Sequence, residues 1–124
     1  MPSPSDDAWP DRFHGSWEPP VAVLAVNLTH ISPWEATVGA VRGSAKLLED
    51  TTNGLLMIYG PFKRGGAHTS EGNATFDASL RERNSAWGYR DVEAVDALGS
   101  AHGFVTEEVR EMPANNFLLC FRHE

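Results

Sequence analysis

Cysteine is nearly absent from this chain: Cys120 stands alone among 124 residues. No internal disulfide can form, which fits a reducing compartment, and a cytoplasmic location is expected. Basic residues are also scarce, with ten Lys and Arg against seventeen Asp and Glu, for a net charge of −7. That balance repels phosphate backbones and anionic lipid surfaces, so neither nucleic acid nor a membrane is expected as a partner. Long apolar runs are missing too. The two longest, Val21–Val26 and Phe117–Phe121, are far too short to cross a bilayer. The opening M-P-S-P-S-D-D has neither a positive n-region nor an apolar h-region, so no secretory signal is expected. The N-x-T triplets at Asn27 and Asn73 are then read as chance matches. His14, His30, His68, His102, His123 and Cys120 never fall into a C-x-x-C or H-E-x-x-H spacing, and no metal site is expected.

With 41% apolar and 22% charged residues, the chain supports one globular domain with a modest core. Residues 1–20 are rich in Pro, Asp and Ser without a period and read as irregular, although Trp9, Phe13 and Trp17 suggest that the segment packs on something. Val21 to Val26 is uninterrupted V-A-V-L-A-V and reads as a strand covered on both faces. A helix from Ser32 to about Asp50 carries Trp34, Val38, Val41, Ala45 and Leu48 on one face. Its start has the form of a capping box, with Ser32 at N-cap, Pro33 at N1 and Glu35 at N3. After Asn53-Gly54 comes a second apolar run, Leu55 to Tyr59, bounded by Gly60-Pro61. Strand, helix and strand in that order predict a crossover with two parallel strands.

The segment Lys63 to Gly72, with three glycines and little apolar content, reads as a mobile loop. A helix capped near Asn73 should turn Phe76 and Leu80 inward. Another, from about Asp91 to His102, should bury Val92, Val95 and Leu98 and stop at Gly103. Phe104 to Glu111 and Phe117 to Arg122 flank M-P-A-N-N and predict a closing antiparallel hairpin. The stretch Asn27 to Glu35 is the place to look for chemistry. There a buried strand ends in polar residues ahead of a helix, which is where open α/β sheets hold ligands.

Five motifs occur in one order: N-L-T-H-I-S-P-W-E-A-T at 27–37, Y-G-P-F at 59–62, F-D-A-S-L-R at 76–81, W-G-Y-R-D at 87–91 and M-P-A-N-N at 112–116. In this the chain resembles, over residues 21–122, a family of class I S-adenosylmethionine-dependent methyltransferase-like proteins, the methyltransferase-like twenty-six family. The resemblance implies an α/β fold over residues 21–124, a partial Rossmann-like sheet with two parallel central strands and a C-terminal antiparallel hairpin. It also implies S-adenosylmethionine as the family's cofactor. The chain matches the second half of the family's sequence. It has no G-x-G-x-x-G turn after a strand and no acidic residue in the place expected to hold the ribose, since neither Gly65-Gly66 nor Gly99 follows a strand and opens a helix. This chain is therefore expected to be inactive by itself and to hold no cofactor tightly.

The class I sheet places the ends at Asn27–Ser32, Gly60–Phe62 and Pro113–Asn116 along one carboxyl edge. His30 is the candidate base or orienting group, or else a tie between strand end and loop. Asn27, Ser32, Asn115 and Asn116 are candidate polar contacts to a cofactor or substrate, with turn formation as the alternative for the last two. Gly60 either admits a ligand or allows the turn before Pro61. Trp34 and Phe62 either stack on an adenine or fill the core. Lys63 to Gly66 is weighed as an anion grip against a solvated loop, and Asp77, Arg81, Arg83 and Arg90 as a substrate ring against exposed helix charge. Two classes of function stay open. One is a methyltransferase; the other is a non-enzymatic form that binds a protein partner, or a second copy, across the Val21–Val26 edge, because an unpaired apolar strand is a template for further pairing.

Overall fold

The computed structural model describes residues 21–124. The expectations for Trp9, Phe13 and Trp17, and for residues 1–20 as a whole, lie outside the described residues. Seven main elements follow in order: β1 (Ala22–Val26), α1 (Trp34–Leu48), β2 (Leu55–Gly60), α2 (Glu71–Arg83), α3 (Val92–Ala101), β3 (Phe104–Met112) and β4 (Asn116–His123). They form the mixed α/β sheet that the resemblance implied, with strand order β1-β2-β4-β3. β1 and β2 pair in parallel, from Ala22 opposite Leu55 to Val26 opposite Tyr59. β4 runs antiparallel to both β2 and β3 and closes the hairpin.

Side chains alternate across this sheet because the strand period is two. Leu56 and Ile58 of β2 and Leu119 and Phe121 of β4 point to one face, where Val41 and Leu48 of α1 and Val95 of α3 meet them in the core. Leu119, Leu48 and Val95 have no accessible surface left. The predicted end of α3 holds: His102 is its C-cap, and Gly103 follows in the left-handed region at φ 84°.

The other face of the sheet differs from expectation. β1 is not covered on both sides. Val23 and Ala25 pack on the core, whereas Leu24 and Val26 are 58% and 54% exposed, and β1 forms one edge of the sheet. The register lines Leu24 up with Met57 and Cys120, so Cys120 is half-buried on this second face and not deep in the core. Burial and, after it, the Glu108 charge raise the Cys120 thiol above its usual pKa.

Two local readings are also corrected. Ser32 does not cap α1: its Oγ donates to the Leu28 carbonyl at 2.6 Å, and Pro33 takes the N-cap position. The hydroxyl closes the loop before the helix instead, a local bond that competes with capping in short polar segments. On α2, whose Ser70 cap accepts from the Asn73 N–H at 3.0 Å, Leu80 is buried but Phe76 is 42% exposed. Asp77 turns inward in its place.

Candidate functional site at the carboxyl edge

β1 and β2 end side by side, and the Asn27 N–H extends their ladder to the Tyr59 carbonyl at 2.9 Å. Asn27 then turns through the left-handed region at φ 54°, which asparagine tolerates better than most residues. Gly60 ends β2 beside it. A Cβ at Gly60 would lie at ordinary contact distance, 3.6 Å from Asn27 Oδ1 and 3.8 Å from His30 Nδ1, so the end of β2 packs beside both polar atoms. Pairing of Gly60 with Phe117 brings the Pro113–Asn115 turn to this same edge. The three motif ends expected to share an edge do so.

His30 is 5% exposed, and its Nδ1 is buried with no hydrogen-bond partner among the described residues. Burial pushes its imidazole below the usual pKa, so the ring is neutral near pH 7. Its ring meets Tyr89 edge-on at 5.7 Å between centroids and Phe76 at 6.3 Å. Its carbonyl accepts the Gly88 N–H at 3.0 Å. A buried neutral imidazole whose Nδ1 has no partner can take a hydrogen bond or a proton from a ligand.

The loop carrying His30 is held by Arg90. Its guanidinium donates to the carbonyls of Thr29 (3.3 Å), Ser32 (3.0 Å) and Ala86 (2.8 Å), and lies 5.7 Å above the Trp34 ring. Trp34 is thus partly buried between core and cation. Phe62 has no exposed surface and belongs to the core, so its ring offers no face for stacking on an adenine. Asn115, at φ 58°, and Asn116 both take part in the hairpin turn. The Asn115 carbonyl accepts from Asn73 Nδ2, and Asn116 Nδ2 donates to the Pro113 carbonyl, each at 3.2 Å.

Asp77 stands in a different place from the exposed helix charge of the sequence reading. Its side chain is 7% exposed and accepts from three donors: Arg81 Nε (3.0 Å) and the Tyr89 N–H (2.9 Å) on Oδ1, and His68 Nε2 (3.0 Å) on Oδ2. Burial and, second, this carboxylate raise the Tyr89 phenol above its usual pKa. His68 Nδ1 is, like His30 Nδ1, buried without a partner among the described residues. The spacing of Asp77 and Arg81, four residues apart on α2, was the available signal for this pairing. The loop at Lys63–Gly66 is not an anion grip: its Gly65 and Gly66 N–H groups are bound by Glu93 (2.6 Å) and Asp91 (3.1 Å). Among the described residues no group of three His, Cys, Asp or Glu side chains is placed to hold a metal ion, and no helix is long and apolar enough to cross a membrane.

Solved structures share this fold at low sequence identity. The chain is similar to TnmH (TM-score 0.69, 20% identity, 90% of this chain and 33% of that one). Human N-acetylserotonin methyltransferase, in complex with SAM, matches with TM-score 0.70 at 11% identity over 92% of this chain and 32% of its own. CalO1, a methyltransferase in calicheamicin biosynthesis in its SAH-bound form, matches at 0.68 and 10% over 83% and 30%. The chain therefore spans about a third of each of these structures, and the likeness establishes a methyltransferase-like fold. In sequence, residues 5–123 match the family described as "protein of unknown function (DUF938)", and the chain belongs to that family.

Proposed function

We propose that the carboxyl edge around Asn27, His30 and Gly60 is the acceptor side of an S-adenosylmethionine-dependent methyl-transfer site. On this reading residues 21–124 form the C-terminal half of a methyltransferase-like domain of the methyltransferase-like twenty-six family. The observation that carries it is the unpartnered, buried His30 Nδ1 beside Gly60 and Asn27 Oδ1 at the ends of β1 and β2. S-adenosylmethionine, when bound, supplies an electrophilic methyl group. Asn27 Oδ1 and His30 Nδ1 fit a ligand's polar edge at that position, and Arg90 keeps their loop in place. His30, neutral at pH 7, accepts the proton that an acceptor hydroxyl or amine gives up.

Much of a cofactor cradle has no counterpart in this sequence, so the chain by itself is inactive and holds the cofactor loosely. Calorimetry of S-adenosylhomocysteine with the purified chain tests both halves of the reading. Binding should be absent or in the millimolar range, about −4 kcal/mol, and any binding should disappear in Gly60→Val. Micromolar one-to-one binding would overturn the loose cradle, and binding unchanged in Gly60→Val would move the site elsewhere.

A second reading rests on the exposed Leu24 and Val26 at the sheet edge. In it the chain is a non-enzymatic form that pairs β1 with a second copy or another protein. Light scattering at micromolar concentration should then give a mass above the monomer's. A monomeric mass together with a cooperative thermal transition would refute it.

A further inference from the structure

We infer that Arg81 is an anion-recognition residue at this edge, and that the ligand it receives carries a carboxylate or phosphate group.

Two observations place it there. Arg81 is anchored at one end only: its Nε donates to Asp77 at 3.0 Å, the side chain is 47% exposed, and neither Nη has a partner among the described residues. A buried carboxylate on Nε fixes the plane of the guanidinium and leaves its outer fork free. That fork matches two oxygens of a carboxylate or phosphate in a bidentate pair.

The guanidinium also lies directly over Gly88. A Cβ there would come within 2.7 Å of Arg81 Cζ, and Gly88 stands at φ 145°, so a glycine backbone is what lets the plane settle. The Gly88 N–H is bonded to the carbonyl of His30, which ties this guanidinium to the backbone of the His30 loop.

Arg90 spends its contacts on three neutral carbonyls; burial and, after it, the Arg81 charge lower its pKa, and the Asp77 and Glu35 charges oppose them. The Asp77 carboxylate contacts Arg81 through Nε alone. An arriving anion can pair with the charged outer fork of Arg81, whereas a neutral ligand gains no such pair.

That this ligand is the methyl acceptor rests on the methyl-transfer reading above; anion binding itself does not. The test accordingly uses no methyl donor. Side-chain ¹⁵N NMR of the purified chain follows the Arg81 Nε–H signal during titration with sodium phosphate and, separately, sodium benzoate, with sodium chloride at matched ionic strength as reference. A saturable shift at Arg81, absent at the exposed Arg42, is expected with at least one probe. Arg81→Lys, which keeps the charge opposite Asp77 but loses the fork, should weaken binding about tenfold, read in both proteins from the backbone N–H of Gly88, which lies against the guanidinium. Saturation by phosphate alone would identify a phosphorylated ligand, and by benzoate alone a carboxylate-bearing one. A shift that never saturates with either probe, or that Arg42 shares, would overturn the inference, and the wild-type titration decides this even where a variant does not fold.

Discussion

Arg90 and Ser32 are separated by 58 residues of sequence and joined by a 3.0 Å hydrogen bond from Nη2 to the Ser32 carbonyl. This contact explains how a polar loop at the end of an edge strand keeps one shape. The carbonyls of Thr29, Ser32 and Ala86 all turn toward the same guanidinium, and the Trp34 ring lies below it. Three loop carbonyls that no strand or helix satisfies find donors on one side chain.

Replacing Arg90 should therefore loosen the site more than the core. Arg90→Ala should cost roughly 2–3 kcal/mol in urea unfolding, because hydrogen bonds from a charged donor are worth about twice neutral ones. Arg90→Lys should recover less than half of that, since an ammonium cannot span three carbonyls. Amide exchange at Thr29 to Ser32 should rise in both variants. Unchanged exchange there would show that the loop stands without Arg90.

Acid should weaken the fold partly through His30. Burial lowers its folded-state pKa below the ordinary 6.5, so between the two values the unfolded chain binds more protons and stability falls with falling pH. The contribution is intact above about pH 6.5, declines as pH drops below that value, and levels off under the depressed folded pKa. A His30→Gln variant should lose this part of the pH slope. A slope identical to wild type would mean that His30 is protonated as easily folded as unfolded.

The two faces of the sheet should answer differently to truncation. Leu119→Ala, in the closed core, should cost about 2–5 kcal/mol. Leu24→Ala, on the open face, should stay within about 0.5 kcal/mol. A Leu24 cost as large as that of Leu119 would mean that the open face is covered in solution.

Asp77→Asn removes the charge from a carboxylate with three donors, one of them on the half-exposed Arg81. The expected cost is about 2–3 kcal/mol, below the 3–5 of a fully buried pair because solvent screens Arg81. The Arg81 Nε–H signal should broaden in the same variant. A sharp, unshifted signal would show that Asp77 does not orient the guanidinium.

The sequence by itself determined the elements and their order. V-A-V-L-A-V and L-L-M-I-Y carry strand composition, the apolar spacing from Val92 to Leu98 carries a helical face, and Gly103 marks its stop; each is a local property of a few adjacent residues. The motifs also located the edge, because strand ends and turns are written in polar, glycine and asparagine residues. Tertiary structure decided the rest. Burial of Asp77 depends on His68 and Tyr89 arriving from loops on either side of α2, which helix periodicity does not encode. Ser32 had the right type and spacing for a cap, yet a competing carbonyl at Leu28 took its hydroxyl. Phe62 and Trp34 looked alike as aromatics after strands, and only packing sent one fully into the core and left the other under Arg90. The apolar run of β1 reads as covered on both faces, but which faces are covered depends on the neighbours a strand meets. Within the described residues β1 pairs with β2 alone and has its second face open, an outcome of long-range pairing that no window of sequence contains.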